Sequence, residues 1–103
     1  MTELEQKQKA IIDHYGVDKQ LDMLVEECAE LIQAIQKYKR YNTIEYGWHI
    51  MYEMADVENL IEQFKLVNKD LKEDIEKEKH VKVNRQLERI ALEKLAEAGF
   101  KDE

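Results

Sequence analysis

An all-α fold, an antiparallel bundle of about four helices, is what this chain predicts, and three observations predict it. Proline is absent and glycine occurs only at positions 16, 47 and 99, so the turn chemistry of a β fold is scarce. Apolar residues recur at three- and four-residue spacing through the middle of the chain, as in Leu21, Leu24, Val25, Cys28, Leu31, Ile32 and Ile35. Charged residues make up 38% of the sequence against 44% hydrophobic, a balance suited to long helices with one wet face.

Four segments carry the pattern. A first helix is expected over residues 3–14, with Leu4, Ala10, Ile11 and Ile12 as its small apolar content. Tyr15-Gly16-Val17 breaks it, and Asp18 is the expected N-cap of a second helix over residues 19–40. The last turn of that helix holds Lys37, Lys39 and Arg40, cations that suit the negative end of a helix dipole. Tyr41-Asn42 connects to a third helix ending at Val67, capped by Asn42 with Glu45 or by Thr43 alone. After Asn68-Lys69, Asp70 and Glu73 read as a capping box for a fourth helix over residues 71–97, and Gly99 is its expected C′ residue. The apolar positions of this last helix (Leu71, Ile75, Val81, Val83, Leu87, Ile90 and Leu95) are sparse, so it is expected to stay half-solvated or to be completed by another subunit.

Length and charge bound the function. At 103 residues the chain reads as one domain, residues 1–103, small enough that a partner chain could supply part of the core. A net charge of −7 argues against general affinity for nucleic acid, although a divalent cation could still bridge an acidic site to phosphates. The lone Cys28 reads as a buried thiol in a reducing compartment. No stretch resembles a signal peptide or a membrane span, so a cytoplasmic protein with no membrane partner is expected.

Two acidic motifs carry the chemistry: Glu26-Glu27-x-x-Glu30 on the second helix and Glu53-x-x-Asp56 on the third. At about 100° per residue, Tyr46, Ile50, Val57, Leu60 and Phe64 all fall within roughly 60° of Glu53, which puts that carboxylate inside an apolar stripe. Glu27 shares a row with Leu24, Leu31 and Ala34. A short connection forces the two helices antiparallel. Counted from Asn42, Glu30 is about 12 residues away and Glu53 about 11, so the pairs meet at similar depth. Buried carboxylates are costly unless paired or bound to a metal. Four oxygen donors (Glu27, Glu30, Glu53 and Asp56) without histidine or cysteine suit Mg²⁺, or Mn²⁺, rather than zinc. A di-iron site is disfavoured, because none of His14, His49 or His80 has Glu three residues before it.

With these residues the chain resembles the MazG-like branch of the all-α nucleoside triphosphate pyrophosphohydrolases, whose pattern is E-E-x-x-E followed later by E-x-x-D. The match is Glu26, Glu27 and Glu30, then Glu53 and Asp56, with 22 residues between Glu30 and Glu53. It covers residues 18–70, including QLDMLVEECAELIQAIQKYKR and EMADVENLIEQFKLV. The resemblance implies Mg²⁺-dependent cleavage of a nucleoside triphosphate between its α and β phosphates, giving a monophosphate and pyrophosphate. It implies Glu27, Glu30, Glu53 and Asp56 as metal ligands, with Glu26 in a supporting role. It also implies a homodimer or homotetramer with sites near subunit interfaces.

Substrate contacts are less marked. Gln20 lies two turns before Glu27 on one face and could read a base, or could be a plain polar residue at a helix start. Lys37, Lys39 and Arg85, with Arg40, Lys82 and Arg89 beside them, could embrace phosphates or simply face solvent. Trp48 reads as a core or interface residue sooner than a base stack, Tyr38 as core packing or a substrate contact, and Met23, Met51 and Met54 as helix packing. Besides the enzyme, two other classes stay open: a non-catalytic helical oligomer acting as a binding or regulatory module, and a structural bundle that binds divalent cations.

Overall fold

The computed structural model describes residues 1–99, which form four α-helices and no strand: α1 (Glu3–Tyr15), α2 (Val17–Tyr41), α3 (Ile44–Val67) and α4 (Lys69–Glu97). The all-α expectation is met, and every boundary falls within about two residues of the sequence reading. The chain divides into two compact units, residues 1–69 and residues 70 onward.

The helix ends show where local chemistry departed from expectation. A capping box at the start of α1 had not been anticipated: Glu5 N–H donates to Thr2 Oγ1 at 3.0 Å, and Thr2 N–H donates back to Glu5 Oε1 at 2.9 Å. Gly16 alone joins α1 to α2. Its N–H donates to Ile12 O at 2.8 Å, and its own carbonyl accepts from Gln20 N–H at 3.2 Å. One residue can serve both helices because Gly16 sits at φ 88°, ψ 161°, a region essentially confined to glycine. Consequently α2 starts at Val17, and Asp18 is not its cap but lies inside the first turn, where its charge suits the positive helix end.

The α2–α3 turn is equally tight. Asn42 takes a left-handed conformation (φ 49°, ψ 46°) and donates its N–H to Tyr38 O at 2.7 Å, so it closes α2 instead of capping α3. Thr43 holds the N-cap position of α3 without a side-chain bond. Nearby, a Cβ on Gly47 would stand 3.5 Å from the Tyr38 ring, so the absent side chain leaves room for that ring against α3. At the next junction α4 starts at Lys69, which places Asp70 within the first turn and not at a capping box.

Within residues 1–69, α2 and α3 run antiparallel and α1 packs against both. Tyr38 meets Gly47 at the turn, and Gln20 meets Gln63 at the far end. The buried apolar core is small: Ile12 from α1, Ala34 from α2 and Leu60 from α3. Amide bonds supplement it. Gln8 Nε2 donates to Asn59 Oδ1 at 2.9 Å, and Gln20 Nε2 donates to Gln63 Oε1 at 2.7 Å. The stripe around Glu53 is as expected, with Leu60 buried and Tyr46, Ile50, Val57 and Phe64 half-buried.

Cys28 corrects the sequence reading: it is exposed. It lies about 100° round the helix from Glu27, on the side of Leu21, Val25 and Ile32, all of which are exposed. The broad apolar face of α2 therefore exceeds what α3 covers. Met51 and Met54, expected to pack between helices, are also exposed, and Trp48 is 51% exposed and so not a core residue of the chain.

The second unit is α4, which ends at Glu97 with Gly99 in a positive-φ conformation (φ 84°), as its C′ role requires. None of its residues is buried, and Val81, Val83, Leu87, Leu92 and Leu95 are exposed. No described helix is long and apolar enough to cross a membrane.

Candidate metal centre

Glu27 and Glu30 project from α2 and Glu53 from α3, and one carboxylate oxygen of each lies within 4.8 Å of the others. The matching depth expected from the turn is what brings them together. Glu27 and Glu53 are half-buried and Glu30 is exposed, so the group forms an open cup with two walls inside the helix contact. Oε2 of Glu27 and Oε2 of Glu53 are both shielded from solvent and lack a hydrogen-bond partner. Among the described residues, none of these carboxylates is ion-paired with Lys or Arg.

That crowding shows in protonation. The Glu27 carboxyl is raised from 4.5 to about 7, first by burial, then by its hydrogen bond with Glu53, then by the charges of Glu30, Asp56 and Glu53. Each cause penalises the anion at the place where a cation would favour it.

Asp56 stands apart from the three glutamates. It is exposed and lies on the rim of a cleft that also touches Glu27, near enough for its charge to act on that carboxyl. Of the four expected ligands, three converge and Asp56 flanks them. Glu26 is exposed and lines neither cleft described here, consistent with its turning about 100° from Glu27.

Two clefts open beside the cup. The larger, about 390 Å³, touches Glu27 and Asp56 and is bounded by Tyr15, Gln20, Asn59 and Gln63. The smaller, about 230 Å³, touches Glu30 and Glu53 and is bounded by Lys37, Tyr46 and His49. Gln20 is thus no exposed helix-start residue; it is 4% exposed and bonded to Gln63. Of the candidate phosphate contacts, Lys37 reaches a cleft, whereas Lys39 is exposed and lines neither. Arg85 is exposed on α4, in the second unit. Tyr38 packs its ring against Gly47.

Sequence reasoning passed over Tyr15, Asn59 and Gln63. A signal for the last two existed: Asp56, Asn59 and Gln63 follow at three- and four-residue spacing, an uncharged amide row continuing from an acidic ligand. Tyr15 had none, because its place depends on how Gly16 turns α1 back onto α3.

Comparison with known protein families, with curated proteins and with solved structures finds no match to this chain.

Proposed function

We propose that the protein is a Mg²⁺-dependent nucleoside triphosphate pyrophosphohydrolase that converts a ribo- or deoxyribonucleoside triphosphate to a monophosphate and pyrophosphate, a reaction suited to clearing unwanted nucleotides. One observation carries the reading: three carboxylates from two helices converge within 4.8 Å, with shielded and unpartnered oxygens on Glu27 and Glu53. The all-oxygen donor set fits Mg²⁺ or Mn²⁺. Glu27, Glu30 and Glu53 would hold the cation, with Asp56 completing the set from the rim of the larger cleft. A divalent cation bound there supplies neutralisation of phosphate charge and a water of lowered pKa. Lys37 stands where a phosphate oxygen could meet it, and Gln20 where a base could. The motif resemblance to MazG-like enzymes supports the same reaction.

A homodimer or homotetramer belongs to this reading. Leu21, Val25 and Ile32 on α2, with Ile44, Trp48 and Met51 on α3, leave apolar rows exposed on a chain whose own core is small. A second copy covering them would complete the bundle, and light scattering reads the assembly directly. The same rows are what favours the alternative of a non-catalytic helical oligomer.

Glu53→Gln separates the two. The enzyme reading expects turnover to be lost while the helical circular dichroism signal is retained, because the substitution removes a charge from a crowded cup. Full activity in that variant would sink the proposed site.

A further inference from the structure

We infer that the carboxylate cup divides its ligand in two: the nucleoside lies in the larger cleft, its base edge met by Gln20, Asn59 and Gln63, and the terminal phosphates lie in the smaller cleft against Lys37 and His49. The inference rests on reading the cup as a phosphoanhydride centre, and it adds a direction to that site.

Size decides first. Small-molecule sites span about 300–1,000 Å³. The cleft of about 390 Å³ falls in that range and the cleft of about 230 Å³ does not. The former offers the more room for a base with its sugar.

Chemistry points the same way. The larger cleft has apolar walls from Ile11, Met23 and Leu60 and a floor of neutral amides. Gln20 and Gln63 are 4% and 3% exposed, and each is held by its bond to the other. A carboxamide carries two N–H donors and one carbonyl acceptor. One bond between Gln20 and Gln63 leaves the pair with both donor and acceptor capacity, whichever way both amides are turned. Asn59, fixed by Gln8, likewise keeps its unused positions. Side-by-side donors and acceptors are what a base edge presents, and carboxamides match them in pairs.

Lys19 is the one Lys or Arg on this cleft, and its ammonium sits 4.7 Å from the Tyr15 ring centroid. The smaller cleft offers Lys37 and His49 beside Glu30 and Glu53. His49 stands between the rings of Tyr46 and Tyr52, with centroids at 6.0 and 6.5 Å. Those are groups for phosphate oxygens and not for a base edge.

The test titrates isotope-labelled protein in Mg²⁺ with two probes, unphosphorylated nucleosides and inorganic pyrophosphate. A nucleoside should shift the side-chain NH₂ resonances of Gln20, Asn59 and Gln63, and pyrophosphate should shift the His49 ring and Lys37. Asn59→Ala should weaken the nucleoside roughly tenfold, the effect of about one hydrogen bond, and spare pyrophosphate. Lys37→Ala should do the reverse. The inference is overturned if the probes exchange places, if neither binds, or if each variant weakens both probes alike. Parallel turnover assays keep the two readings apart. A nucleoside on the amides with no triphosphate cleaved sinks the enzyme reading alone, and cleavage with the nucleoside elsewhere sinks the orientation alone.

Discussion

The carboxyl groups of Glu27 and Glu53 meet at the contact between α2 and α3, close enough that Glu53 raises the cost of ionising Glu27, while Oε2 of each is shielded and unpartnered. A bundle selected for stability alone would place apolar side chains there, as it does at Ala34 and Leu60. Leaving two acids in that position costs stability unless a cation arrives.

Protonation of Glu27 ties stability to pH. Its carboxyl is raised from 4.5 to about 7, so between those values the folded chain keeps a proton that the unfolded chain releases. Stability therefore falls as pH rises through that window, and the contribution levels off above it. Glu27→Gln imitates the protonated form and lacks this loss. In chelator, the melting temperature of the parent relative to Glu27→Gln should drop from pH 4.5 to 7. A pH-independent gap would contradict the crowding of these acids.

Cation binding should reverse the cost. Mg²⁺ that binds only the folded chain adds about 2.7 kcal/mol at a hundredfold excess over its dissociation constant. A melting series against Mg²⁺ should show the rise in the parent and little of it in Glu53→Gln. Equal shifts in both proteins would place the ion elsewhere.

Gly16 is the joint on which the larger cleft depends. Nothing lies within 4 Å of a Cβ built there, so Gly16→Ala suffers from its backbone conformation alone. The expected loss is about 1–3 kcal/mol in urea unfolding. An unchanged midpoint would show that the α1–α2 joint relaxes freely.

The Gln20–Gln63 bond gives a sharper contrast. Gln63→Leu strands a buried amide on Gln20 and should cost about 1–3 kcal/mol. The double variant Gln20→Leu with Gln63→Leu removes both partners and should recover much of that loss. Additive losses would mean that each amide is held by something other than its partner.

Much of the fold was legible because its signals are local. Absent proline, apolar spacing and the break at Gly16 predict four helices with nearly the observed limits. The cup was legible for a related reason: Glu30 and Glu53 lie at matched distances from one short turn, so one-dimensional counting fixes a three-dimensional meeting. Asp56 matches Glu27 in depth, about 14 and 15 residues from Asn42, yet it is exposed and lines the larger cleft instead of joining the three glutamates. Cys28 was misread because an apolar face says nothing about how much of it a partner helix covers. The caps failed where one residue had two possible duties, as when Asn42 closes α2 instead of opening α3. Tyr15 depends on α1 folding back at Gly16, which no spacing in the sequence reveals, whereas Asn59 and Gln63 continue the row of Asp56 at helical spacing.

The most direct measurement is product analysis. The chain would be incubated with Mg²⁺ and a panel of ribo-, deoxyribo- and modified nucleoside triphosphates, and the products resolved chromatographically. Monophosphate and pyrophosphate are expected in equal amounts, lost on chelation and absent with Glu53→Gln. Diphosphate and phosphate would move the attack to the γ phosphorus and contradict the proposed reaction. No turnover of any triphosphate by the folded protein would leave the carboxylate cup as a feature of a non-catalytic oligomer.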